Sequence, residues 1–298
     1  MPIQRPEKVI YGVEDMAAGI RYFEDWGLEL LDSGDAGAEF KTGENQHILL
    51  RLKSDPELPD APGEGSTAHE VIWGVTGADD LESIGGELST DRDVRTDADG
   101  SLHSRDESGF AIGFMVSDRT PVEIAAPDLN FHNNITRLNK TVMPDARVKP
   151  IRMGHVVLEI KKADAERASA FYMDRLGFKL TDRCKDIGDF LRVPGLTDHH
   201  SLFLNFRPDH TQFSHIAFEV DDIDAVMMGG NYMNSRGWET ESGPGRHYHG
   251  SNIFWYTRNP SGGSTEYFSD MDRMDDDWQP RVFEQTQGYA SWLIGGRP

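Results

Sequence analysis

Apolar residues recur along this chain with two periods. Short runs of Val, Ile, Phe and Tyr alternate with polar positions as in half-buried strands, and longer windows repeat at the spacing of an amphipathic helix. In the C-terminal half, HVVLEI from His155 reads as a strand, and Asp164 to Leu176 as a helix that Gly177 closes. LRV from Leu191, SLFLNF from Ser201, HIAFEV from His215, NIFWYT from Asn252 and STEYF from Ser264 are further β-branched or aromatic runs bounded by turn residues. A helical window between Asp221 and Gly237 divides them into two groups. The half therefore reads as two successive units, each of one strand, one helix and about three strands.

The N-terminal half repeats the pattern in the same order. VEDMAAGIRYFEDWGLEL from Val13 echoes LEIKKADAERASAFYMDRLGFKL from Leu158, and EVIWGVTGADDL from Glu70 echoes HIAFEVDDIDAV from His215. ESGFAIGFM from Glu107 matches PSGGSTEYF from Pro260. This predicts an α+β fold of repeated βαβββ modules, two tandem domains of two modules each, with curved sheets, outer helices and a cavity within. The polar, proline-bearing stretch 119–152 separates them, giving an N-terminal domain with linker over 1–148, a C-terminal domain over 149–270 and a tail over 271–298. The plain reading of the tail is a solvated extension and its functional reading a lid.

With 298 residues, 37% hydrophobic and 27% charged, the chain can bury a core in each half. A net charge of −21 and the lack of a basic stripe argue against nucleic acid and anionic membrane as partners. No apolar run is long enough to span a bilayer, and the opening MPIQRPEKVIYGV does not resemble a secretory leader, so the expected location is cytoplasmic. The single cysteine, Cys184, allows no intramolecular disulfide and no thiolate cluster, so any metal must be held by His, Asp or Glu.

Two strands carry one pattern: His155, Val157 and Glu159 share a face, as do His215, Ala217 and Glu219. A glutamate four positions on lies about 13 Å from its own histidine and cannot share a metal with it. Glu266 is the candidate third ligand, because a carboxylate in mid-strand among apolar neighbours is costly unless paired. If Pro260 to Gly262 forms a three-residue hairpin loop, Tyr256 faces Glu266. Two imidazoles and one carboxylate on one face of an octahedron suit non-haem Fe(II), with Mn(II) close behind.

The segment GRHYHGSNIFWYTRNPSGGSTEYF from Gly245 to Phe268 resembles the type I extradiol dioxygenases of the vicinal oxygen chelate superfamily. That family carries a GRH segment, a tyrosine nine positions beyond its histidine, PSG or PDG, and a ligand glutamate ten beyond the tyrosine; His247, Tyr256 and Glu266 reproduce those spacings. The resemblance implies His155, His215 and Glu266 as iron ligands and His200, fifteen positions before His215, as the acid/base histidine. It implies His247 and Tyr256 as the substrate-side hydrogen-bonding pair, with His249 on the same strand face as the competing choice. His199 and His210 read as surface residues. The implied activity is cleavage of a catechol-type aromatic diol by O2 next to the diol, giving a ring-opened semialdehyde or keto acid. Homo-oligomers are the family habit. The competing readings are a hydroxyphenylpyruvate dioxygenase-like Fe(II) enzyme and a non-catalytic small-molecule-binding protein of the same fold. Arg192, Trp255 and the tail are the expected shapers of the pocket. The first half has lost the ligands: Glu70 aligns with His215, Gly113 with Glu266, and KVIYGV holds no histidine.

Overall fold

In the computed structural model, which describes residues 3–125, 129–142 and 147–295, two sheets are built on one plan. The first half runs β1 (Ile3–Val13), α1 (Met16–Trp26), β2 (Glu29–Gly34), β3 (Gly37–Lys41), β4 (His47–Leu52), β5 (Thr67–Val75), α2 (Ala78–Leu88), β6 (Arg95–Thr96), β7 (Leu102–Arg105) and β8 (Ala111–Val116). Its strand order, β2-β3-β4-β1-β5-β8-β7-β6, places β1 antiparallel to β5 at the centre, with one βαβββ module on each side.

The second half repeats this. β9 (Arg152–Lys161) is followed by α3 (Ala165–Ala170), β10 (Lys179–Cys184), β11 (Gly188–Arg192), β12 (Thr197–Asp198) and β13 (Leu202–Arg207). Next come β14 (Gln212–Glu219), α4 (Ile223–Ser235), β15 (Thr240–His247), β16 (Ile253–Arg258) and β17 (Ser264–Ser269). The helix expected from Asp164 to Leu176 is α-helical only in α3; a wider π-type turn, Phe171–Arg175, completes it before Gly177 turns left-handed at φ 79°. β10 carries no clean alternation in sequence and is not among the strands the pattern predicts, and the strand expected to hold both His247 and His249 ends, as β15, at His247. The sheet order is β10-β11-β13-β9-β14-β17-β16-β15, with β9 antiparallel to β14 at its centre and one further strand at each edge.

The outermost strands belong to the tail, which also contains β18 (Arg273–Met274), β19 (Arg281–Phe283) and β20 (Ala290–Leu293). β18 pairs with β12, β19 with β10 and β20 with β15, so the tail is strapped across both edges of the sheet. It is not a freely solvated extension, because its backbone groups are taken up in these ladders.

The halves share a core. Trp26, at the end of α1, stacks on Tyr267 of β17 with ring centroids 3.6 Å apart, and the Tyr267 hydroxyl donates to the Trp26 carbonyl at 2.6 Å. That sheet face comes close to α4 only because Gly229 and Gly230 are bare: a Cβ there would lie 2.6 Å from the Tyr267 ring and 2.0 Å from the Trp255 ring. Trp255 is thus committed to the helix side of β16 and does not line the cavity around His155, His215 and Tyr256. Between the sheets, the amide of Gln46 donates to the Met153 carbonyl at 3.0 Å and accepts from the Met153 N–H at 2.7 Å.

Candidate metal centre

His155 and His215 sit on the two central strands and Glu266 on the next. Register sets Ala217 beside both His155 and Glu266, so the three functional side chains ring one small residue on the concave face. Nε2 of His155 lies 3.1 Å and Nε2 of His215 3.5 Å from Oε2 of Glu266, and one ligand atom from each residue lies within 4.8 Å of the others. These contacts are close but not aligned as hydrogen bonds: Glu266 Oε2 and His215 Nε2 are buried with no hydrogen-bond partner. Lone pairs that converge on a common point leave each other unsatisfied in this way. Cis ligands about 2.1 Å from one ion stand about 3 Å apart, so the donor set fits a divalent metal with a two-histidine, one-carboxylate face. Among the described residues no other three His, Cys, Asp or Glu converge like this.

Burial pushes the His215 imidazole down to about 3, keeping it neutral, as a metal ligand must be. The other oxygen of Glu266 accepts from the amide of Asn252 at 2.9 Å, a partner the sequence pattern did not single out. The remaining strand glutamates are spent elsewhere: Glu159 accepts from Arg207 at 2.7 Å and Gln212 at 2.6 Å, and Glu219 pairs with Arg152 at 2.5 Å.

Tyr256 lies opposite Glu266 in the β16–β17 ladder, and the loop between them closes with Asn259 opposite Gly263. The Tyr256 hydroxyl is 3.0 Å from Nε2 of His247, whose Nδ1 lies 3.1 Å from the carbonyl of Tyr289 in the tail. A carbonyl only accepts, so in the neutral ring Nδ1 carries the proton and Nε2 receives the tyrosine O–H. Burial, and then the Glu266 carboxylate, push the Tyr256 phenol well up, so it stays protonated.

His249 does not join this group. β15 ends at His247 and strand alternation stops there, so the His249 ring turns toward Asp182, at 3.2 Å, and the Cys184 thiol, at 3.2 Å. His200 stacks obliquely over His155, ring centroids 4.2 Å apart. Its neighbour His199, expected at the surface, is fully buried: β12 pairs with the tail, and Asp182 and Arg281 close over that side. His210 is exposed as expected, against Asp209 and Glu159. Arg192 is buried and donates to the Asp275 carbonyl at 2.7 Å, so it anchors the tail and does not line the pocket.

All of the candidate histidines except His199 and His210 open onto one cavity of about 870 Å³, whose walls include Phe190, Phe203 and Tyr289. This volume suits a small organic ligand.

Residues 152–267 match the Glyoxalase/Bleomycin resistance protein/Dioxygenase superfamily, and the C-terminal half is a domain of that superfamily on a vicinal oxygen chelate fold. Over 126 residues the chain is 38% identical to metapyrocatechase 2 of Cupriavidus necator, a match covering 42% of this chain and 38% of that protein. It is 27% identical over 281 residues to the biphenyl-2,3-diol 1,2-dioxygenase of Paraburkholderia xenovorans LB400, covering 90% and 88%. The Mn(II)-bound glyoxalase of Novosphingobium aromaticivorans shares the fold at a TM-score of 0.77 and 22% identity, over 99% of this chain and 93% of that one.

Proposed function

We propose that the chain is an extradiol dioxygenase that opens a catechol-type ring next to its diol, using O2 and an Fe(II) ion held by His155, His215 and Glu266; Mn(II) is the alternative occupant. The observation that carries the reading is the convergence of one ligand atom each from His155, His215 and Glu266, those of His215 and Glu266 buried without a hydrogen-bond partner, in a cavity whose other polar groups, His200 and the Tyr256–His247 pair, suit a diol. A divalent metal held by His155, His215 and Glu266 would lower the pKa of a phenol bound to it and would keep its remaining coordination positions for substrate and O2.

The protein groups then divide the work. Tyr256, its own proton directed at His247, offers oxygen lone pairs to a substrate hydroxyl, so a proton leaving the substrate has a path through Tyr256 to Nε2 of His247. His200, over His155 on the other side of the triad, handles the proton exchanged with the opening ring. Phe190 and Phe203, stacked 4.1 Å apart, give the ring an apolar wall. The tail, contributing Tyr289, works as a lid. The N-terminal domain, 1–148, covers the apolar back of the catalytic domain, 149–270, and the chain works as a cytoplasmic homo-oligomer.

The test is anaerobic loading with Fe(II) followed by O2 uptake against a panel of monocyclic, bicyclic and carboxylated catechols. One O2 consumed per diol, with a yellow ring-opened product, supports the assignment. No uptake with any diol, at one bound metal per chain, removes it.

A further inference from the structure

Behind His200 lies a buried chain of polar groups that the proposed reaction does not use directly. Nδ1 of His200 is 3.1 Å from Nδ1 of His199, and Nε2 of His199 is 3.1 Å from Oδ2 of Asp182. The same oxygen receives Nδ1 of His249 at 3.2 Å and a guanidinium nitrogen of Arg281 at 2.6 Å, and Nε of Arg281 reaches Oδ1 at 2.8 Å. Nε2 of His249 meets the Cys184 thiol at 3.2 Å. His199 and Asp182 are both fully buried.

One anion at the end of such a chain dictates every proton position in it. Burial pushes the Asp182 carboxyl up, but donors from His199, His249 and Arg281 outweigh it and hold it well below the usual carboxylate range. An ionised carboxylate only accepts, so His199 Nε2 and His249 Nδ1 carry hydrogens. Burial lowers the His199 ring's affinity for a second proton, so its Nδ1 is a bare acceptor. His200 must then donate from Nδ1, and the Cys184 S–H from sulfur to His249.

We propose that His199 and Asp182, clamped by Arg281 of the tail, are positioning residues that hold His200 in the tautomer whose Nε2 is unprotonated and free to face the cavity. Its use in catalysis rests on the reading of His200 as the proton-handling group; the tautomer itself does not. His200 thus enters a turnover as a proton acceptor. When an N–H bond forms at its Nε2 with a proton from the substrate side, the Nδ1–H bond breaks and that proton moves to Nδ1 of His199. The positive charge comes to rest beside the Asp182 carboxylate, and return of the proton runs the same steps backwards.

The experiment is 15N NMR of the full chain labelled in its histidine rings, before and after addition of Zn(II) as a diamagnetic ion, with His200 assigned by its loss in His200→Phe. The wild type should show His200 protonated on Nδ1, with Nε2 at the frequency of a bare ring nitrogen. In His199→Phe, which keeps a ring but cannot accept, the proton should move to Nε2, the site a free imidazole prefers. His199→Gln, whose amide oxygen can accept from Nδ1, should restore the wild-type state. In the Fe(II)-loaded enzyme, kcat should fall about tenfold or more in His199→Phe, with KM and metal content within about twofold of wild type, and recover in the Gln variant. A wild-type His200 carrying its proton on Nε2 overturns the inference and needs no variant to fold; an unchanged tautomer in His199→Phe overturns it too. A chain with the expected tautomer that cleaves no catechol supports the positioning role and removes the ring-cleavage reading alone.

Discussion

At the scale of single residues, the site is defined by groups that cannot satisfy one another. Glu266 is the only carboxylate in the triad, so Glu266→Ala should reduce bound iron or manganese from one equivalent per chain to a trace, read by elemental analysis after dialysis. Retention of a full equivalent would remove Glu266 from the ligand set. His200 lies outside the three donors, so His200→Phe should keep metal content and catechol affinity while kcat drops by about 100-fold or more. Asp106 offers a test unconnected with catalysis. It is buried at the contact between halves, where it accepts from the Tyr172 hydroxyl at 2.9 Å and from the backbone of Ser108 and Phe110. Burial raises its carboxyl to about 6 despite those donors. A raised folded-state pKa means that the folded chain binds more protons between the unfolded value, about 4, and 6, so stability falls as pH rises through that window. Asp106→Asn, which cannot ionise, should therefore be more stable than wild type at pH 7 to 8, by on the order of 2 kcal/mol, and should lose the advantage below about pH 4. Equal denaturation midpoints for the two proteins at pH 7.5 would contradict this.

At the scale of elements, what could be read from the chain depended on whether geometry reduces to counting. The β16–β17 hairpin does: a three-residue loop sets Tyr256 opposite Glu266, and the observed ladder has that register. The strand β14 likewise announces itself by alternation. β10 does not, since KLTDRC packs polar residues on both faces, and so Asp182, Cys184 and the buried role of His199 went unseen. His249 escaped because it lies beyond the end of β15, where period-two reasoning no longer holds. The α1 helix was legible as the echo of the Leu158–Leu180 segment, but the partner of its Trp26 was not. Trp26→Ala should cost about 3–5 kcal/mol in urea unfolding, because it empties a fully buried stack on Tyr267 that joins the two halves. A loss under about 1 kcal/mol would mean that the halves are held together elsewhere.

At the scale of the whole molecule, the duplicated plan is used asymmetrically. The first-half position that matches His215 is Glu70, and it faces His103 at 2.8 Å, so its carboxylate already has a partner. His69 is held by the Pro59 carbonyl at 2.6 Å, and its ring fills the space beside Gly12. His69→Ala should accordingly leave one metal per chain and unchanged turnover, whereas loss of half the bound metal would reveal a second site in the first half.

Periodicity and spacing by themselves determined the modular fold, the duplication and the placing of Tyr256 opposite Glu266, because strand alternation and hairpin register are local rules that a sequence states directly; His200 and His247 as site residues rested on the family resemblance. Only the tertiary structure decided that the tail is strapped to both sheet edges, that Asp182 collects two histidines and an arginine from three separate segments, and that His247 and not His249 stands beside Tyr256. Those arrangements bring together residues up to about a hundred positions apart, and contacts at that range follow from how the sheets close, which no local pattern encodes.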